Sequence, residues 1–175
     1  MRVTKTKEIS VMIKKWISVV MILAFAGVLM ACGVSKAEDE QKGSAIPFEG
    51  DLTKIMSAIY ENSGIEELPN LVNTELSTEN VAYFIGTDQV TFEAGLASEP
   101  MINAIAHSIV LIKVEDGTDI EQAKETIKST VDPRKWICVG VEEDKIVVDN
   151  IGNLIIVILD EQSEKFHDAF KGLSE

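Results

Sequence analysis

The sequence predicts an α+β domain, an antiparallel sheet of about four strands with helices packed on it, in the order α-α-β-β-α-β-β-α. Three observations predict it. Apolar residues recur at helical spacing at both ends of the region 51–175. Strand-like runs sit between them at 90–96, 104–114 and 154–159. Turn residues at Asp116-Gly117 and Asn150–Asn153 separate the runs.

The elements follow in order. Leu52, Ile55, Met56, Ile59 and Tyr60 share one helical face, in a helix that should stop before Gly64. An irregular segment follows through Pro69. Ser77 is the expected N-cap of a short second helix ending at Gly86, with Leu76 and Val81 as its hydrophobic staple. Val90, Phe92, Ala94 and Leu96 alternate with polar or small residues, the period of a half-buried strand. After the Glu99-Pro100 break a second strand is expected over 104–114. Its Ile109–Ile112 centre is apolar on both faces, which places it inside the sheet. Thr118 and Glu121 form a capping box for a helix that buries Ile120, Ala123 and Ile127 and finishes before Pro133. Residues 136–141 and 145–149 are extended candidates, and 154–159 (LIIVIL) is the strongest strand signal. A last helix presents Phe166, Ala169, Phe170 and Leu173 on one side. No internal repeat is visible.

Ahead of this domain, Arg2, Lys5, Lys7, Lys14 and Lys15 stand against a single acid, Glu8. Residues 16–30 then run without a charge. A basic region, an apolar core and a small residue at the cut make a secretory signal. Fifteen apolar residues suit a signal core of about 7–15, whereas a spanning helix needs about 17–25; a retained signal anchor is the rival if the run extends to Val34. Leu29, Met30, Ala31 and Cys32, with Gly33 after them, resemble the lipobox of bacterial prolipoproteins. Met30 stands where a small or β-branched residue is usual. The resemblance implies cleavage between Ala31 and Cys32 and a diacylglyceryl thioether on Cys32. Two acyl chains at about 0.8 kcal/mol per buried methylene hold a protein stably at a membrane. Residues 1–31 are then the signal peptide, 32–50 a polar, acidic tether spanning on the order of 25 Å, and 51–175 one folded domain.

The signal takes five of the 16 basic residues and one of the 29 acidic ones. The mature chain keeps 11 and 28, a formal charge of −17. Such a balance argues against nucleic acid and against docking on anionic lipid through a basic patch. The acids are spread along the chain, as on a solvated, self-repelling surface. With Cys32 acylated, Cys138 is left as a lone thiol within an apolar run, the setting of a buried structural cysteine.

No residue set specifies a reaction. His107 is expected as a partly buried strand residue and His167 as a solvated helix residue, neither with metal-ligand spacing around it. Residues 115–119 lack the alternating ligands of a calcium loop and read as a turn and cap. Glu142, Glu143 and Asp144 read as a charged turn rather than as a paired-carboxylate site. Phosphate-binding, dinucleotide, serine-nucleophile and zinc-protease motifs are absent from the sequence. No catalytic residue, metal or cofactor is assigned.

The acylated N-terminus, the polar tether, the early amphipathic helix, Ser98-Glu99-Pro100-Met101 before an apolar strand, and the hairpin 147–158 turning at Gly152-Asn153 form a pattern. It resembles a group of small lipoproteins of Gram-positive bacteria that carry a domain of unknown function. The resemblance implies an α+β lipoprotein domain and no established activity. The expectation is therefore a non-enzymatic binding or accessory module, lipid-anchored at the extracytoplasmic face of the cell membrane. Its partners would be the membrane, the prolipoprotein-processing enzymes and an unidentified protein, envelope polymer or small ligand, but not nucleic acid. The rival expectations are a small extracytoplasmic hydrolase using Cys138 or Glu142–Asp144, and a transporter-associated solute-binding component.

Overall fold

A computed structural model describes residues 50–174. The expected signal, the lipobox with Cys32, and all of the tether but Gly50 lie outside the described residues.

The chain orders as α1 (Leu52–Asn62), β1 (Leu71–Glu75), α2 (Val81–Ile85), β2 (Phe92–Pro100), β3 (Ser108–Val114), α3 (Ile120–Thr130), β4 (Ile146–Ile151), β5 (Leu154–Leu159) and α4 (Ser163–Lys171). The five strands form one sheet in the order β1-β2-β3-β5-β4, every neighbouring pair antiparallel. The α+β class is as expected, with one more strand and the first strand ahead of the second helix.

Helices cover both faces. Ile55, Met56 and Ile59 of α1 and Phe166, Ala169 and Phe170 of α4 pack on Leu96, Ile109, Leu111, Leu154, Ile156 and Ile158. On the opposite face, Val81, Phe84 and Ile85 of α2 and Ala123 and Ile127 of α3 pack on Ala97, Val110, Ile112, Val114, Ile155 and Val157. That is why β3 and β5 are apolar at successive positions, where a one-faced sheet would alternate. All six residues of β5 are buried, each contributing about 1.5–3 kcal/mol relative to an exposed side chain.

Four local expectations are corrected. Residues 71–75, which carry no expected element between the irregular segment and the second helix, form the edge strand β1. The alternation at Val90–Leu96 does not lie on one face. A bulge between Phe92 and Ala94 inserts an extra residue, so Val90 and Phe92 join the α2/α3 face while Leu96 joins the other. The strand expected from Ala104 begins only at Ser108, and 136–141 is not a strand. Both caps also moved. Asn80 sits at the N-cap of α2 and Ser77 opens the preceding turn. Asp119 caps α3 through the Gln122 N–H, while Thr118 Oγ1 donates to the Glu115 carbonyl. A carboxylate one residue nearer the helix won over the hydroxyl.

The hairpin turns where expected. Ile151 pairs with Leu154, and Gly152 takes φ +57°, the left-handed value that the first position of a two-residue hairpin loop demands.

Candidate functional site

Three antiparallel strands bring chemistry to one end of the sheet. The C-terminal ends of β2 and β5 and the N-terminal end of β3 lie side by side there, because Ser98 pairs with Ile109 and Ser108 with Leu159. The last turn of α1 and the loop after α3 reach the same end.

The first cluster is Tyr60, His107 and Asp160. His107 stands immediately before β3 and is 2% exposed. Its Nδ1 lies 2.8 Å from Asp160 Oδ2 and its Nε2 lies 2.9 Å from the Tyr60 hydroxyl. With a neutral ring, Nδ1–H donates to the carboxylate and Nε2 accepts from the phenol, a tautomer assigned from the partners. Burial pushes the Tyr60 hydroxyl far above the ordinary phenol value. The nearby Ser98 hydroxyl opposes that shift, and the charges of Asp160 and Glu99 add to it. Tyr60 therefore keeps its proton and acts as a donor. Phe166 meets the rings of both Tyr60 and His107 edge-on, so these polar groups sit in an apolar wall.

The second cluster is built on Lys135, whose side chain is 4% exposed. Its Nζ lies 2.6 Å from Glu99 Oε1, 3.2 Å from Ser108 Oγ and 3.4 Å from the Phe84 carbonyl. The rings of Tyr83, Phe84 and Trp136 stand 5.2, 5.5 and 5.4 Å from the same nitrogen, within the range of cation–π attraction. Burial lowers the Lys135 pKa, and the Glu99 charge and hydrogen bond oppose that. The structural consequence is that the loop after α3 is pinned to β2 and to α2 by its own ammonium.

Around these two clusters lies an apolar rim. Among the described residues the exposed large hydrophobics are Leu68, Val72, Tyr83, Met101, Ile102, Ile105 and Ile137. All lie at this end. Met101 N–H donates to the Asn70 carbonyl and Ile137 N–H to that of Asn103. Val72 pairs with Glu99, and Tyr83 borders Lys135. Met101, Ile102 and Ile137 are each 64–70% exposed.

The residues singled out from sequence lie differently. Cys138 is exposed, not buried, and takes φ +62°. The strand expected around it does not form, so the side chain has no core to enter. His167 lies on the polar side of the last helix, as expected, but is paired and only partly solvated. It is about one-third exposed, its Nε2 2.7 Å from Asp149 Oδ2 of β4, with Lys171 also 3.4 Å away. Glu142, Glu143 and Asp144 do form a charged turn. With Pro133, Arg134 and Val141 they line a cavity of about 320 Å³. Residues 115–118 are a turn, as expected. Among the described residues no group of three or more His, Cys, Asp or Glu is placed to hold a metal ion, and no helix is long and apolar enough to cross a membrane.

Sequence reading missed Tyr60, Glu99, Lys135 and Asp160. His107 and Asp160 are 53 residues apart in the chain, and no local spacing links them. The only local signal for Lys135 is its place directly before the apolar run that starts at Trp136. No family model, curated protein or solved structure matches this chain.

Proposed function

We propose that this chain is a lipid-anchored extracytoplasmic protein whose folded domain is a binding or accessory module, and that the end of the sheet carrying Lys135 and His107 is its contact surface. The observation that carries the reading is the gathering of every exposed large hydrophobic among the described residues onto that end. Contiguous exposed apolar area on a domain otherwise rich in acid marks an interaction site more often than chance scatter does. The Lys135–Glu99 pair beneath it is buried and its opposite charges meet, so it supports the surface rather than offering a free reagent. The Leu29–Cys32 lipobox supports the anchor.

Two measurements test this. Mass spectrometry of the mature N-terminus is expected to find diacylglyceryl-modified Cys32; an uncleaved or internal Cys32 refutes the anchor. Ile102→Asp with Ile137→Asp in the anchored chain is expected to leave the domain folded and abolish its phenotype. Full retention of the phenotype refutes the contact surface.

A second reading has one observation in its favour. Asp160, His107 and Tyr60 are arranged as an acid–imidazole–phenol relay, the geometry by which a carboxylate orients a general base. A small hydrolase would use it on a substrate reaching Tyr60. Turnover of an envelope substrate, lost in His107→Gln, would establish that reading; its absence leaves the relay as a structural bridge between α1, β3 and β5.

A further inference from the structure

Among the described residues the outer edge of β1 is an open strand edge in an acidic field. In the β1–β2 register the Leu76 N–H donates to Gly95 and the Met101 N–H to Asn70. Hydrogen-bonded pairs alternate in an antiparallel ladder, so residues 70, 72, 74 and 76 turn their backbone groups toward β2. Leu71, Asn73 and Glu75 turn theirs outward. Opposite Leu71 stands Pro100, which has no N–H and suits a non-bonded pair. Of the outward groups, the Glu75 carbonyl takes the Asn80 side-chain amide at 3.0 Å. Among the described residues the N–H and C=O of Leu71 and Asn73 and the N–H of Glu75 have no partner, a ladder for about five residues of added strand.

Three devices that guard such an edge are missing from it. β1 contains no Pro, Lys or bulge. From Ile55 to Ile112 the chain has no Lys or Arg at all, against eight acids. Of these, Glu93 and Glu99 pair with Lys113 and Lys135. Glu66, Glu67, Glu75 and Glu79, which flank β1, are exposed. Val72 is 45% exposed and Leu68 37%, giving apolar ground beside the acids.

We propose that β1 is a docking strand for an extended, Lys- or Arg-bearing segment of another protein, which adds to the sheet as a sixth strand. Its backbone pairs with Leu71, Asn73 and Glu75, and its cations face the unpaired glutamates. Main-chain bonds supply affinity and the charge pattern supplies selectivity. A second copy of this chain would have the same backbone fit but brings a net charge of −13 toward its equal, so charge complementarity favours the basic segment. This inference rests on the binding-module reading and names the chemistry of its partner.

The test is amide NMR on the full chain, titrated with the peptide Lys-Val-Lys-Val-Lys-Val and with its Glu-Val counterpart. The lysine peptide is expected to shift and protect the Leu71, Asn73 and Glu75 amides, leaving Val72 and Thr74 already protected by β2. The glutamate peptide should leave them unmoved. Asn73→Pro removes an outward N–H without touching a bond to β2, and is expected to weaken binding about tenfold, the loss of one to two net hydrogen bonds; Asn73→Ala should stay within about twofold of the parent. Glu67→Gln with Glu75→Gln, both on exposed side chains, should weaken binding and flatten its dependence on salt.

Shifts scattered over the acidic surface without those three amides overturn the docking mode. So does undiminished binding in both the proline and the double glutamine variants, or self-association through β1 that the peptide does not compete away. A phenotype lost in Ile102→Asp with Ile137→Asp but intact in all β1 variants rejects this docking strand while leaving the binding-module reading standing.

Discussion

Lys135→Met is the most searching perturbation of the end of the sheet. It removes an ammonium 4% exposed and leaves its partner Glu99, 16% exposed, without a cation. Breaking a buried ion pair from one side costs about 3–5 kcal/mol, since the remaining charge is left uncompensated. Glu99 is 16% exposed and keeps some contact with water, which places the expected loss near the bottom of that range, about 3 kcal/mol. Glu99→Gln is milder. The amide oxygen still accepts from Nζ and the three rings still face the ammonium, so only the charge assistance is lost, about 1–2 kcal/mol. In the double variant methionine fills the aromatic cage and no charge remains. The loss should fall short of the sum of the single losses by about 1–3 kcal/mol, the usual coupling between residues in contact. Urea unfolding of the parent, both singles and the double measures this cycle. Single variants each within about 0.5 kcal/mol of the parent, or strictly additive losses, would refute the claim that the pair holds the loop after α3 to the sheet. The pH dependence adds a sign. The Lys135 pKa is lower in the folded chain than its ordinary 10.5, so the unfolded chain binds the extra proton between the two values. Stability should therefore gain from this group as pH rises through that interval, and Lys135→Met should remove the gain.

Further predictions follow from other parts of the fold. Gly86 takes φ +78°, and an added Cβ would lie 2.0 Å from the Thr130 carbonyl oxygen. Gly86→Ala should cost about 1–2 kcal/mol in left-handed strain and about 1–3 more in displaced backbone, seen as a lowered urea midpoint. At Asp149, burial raises the pKa, but hydrogen bonds from His167 and the Asn150 N–H and the charges of Lys171 and His167 outweigh it, so the net shift is downward. Its contribution is complete above the ordinary 3.8 and fades as pH falls toward the folded value; Asp149→Asn should flatten that acid limb in pH-dependent unfolding. Tyr60→Phe leaves the buried His107 Nε2 without its donor and should cost about 1–3 kcal/mol by thermal unfolding, with no loss predicted if the phenol contributes nothing to the bridge. Cys32→Ala should release the chain from the membrane fraction, measured by fractionation of cells expressing it.

The amphipathic stripes of α1, α3 and α4 were legible because helical packing repeats locally. Each apolar position lies within four residues of the next, so Ile55, Met56, Ile59 and Phe166, Ala169, Phe170 announce themselves. The run 154–159 was legible for the same reason, as was the turn at Gly152. By itself, then, the sequence determined the α+β class, three of the helices with their buried faces, the central strands and the final hairpin. The proposed lipidation at Cys32 rests on the contiguous residues Leu29–Cys32 alone. Tertiary structure alone decided the rest. Leu71–Glu75 has too little apolar character to be called a strand, and becomes one because β2 presents a free ladder to it. One bulge residue sent Phe92 and Leu96 to opposite faces, a choice no alternation pattern encodes. Lys135 met Glu99, and His107 met Asp160 and Tyr60, only when three antiparallel strands brought their ends together. Periodicity reports which face a residue shows to the core; which distant residue shares that core depends on sheet order and register, and those are set by the whole chain at once.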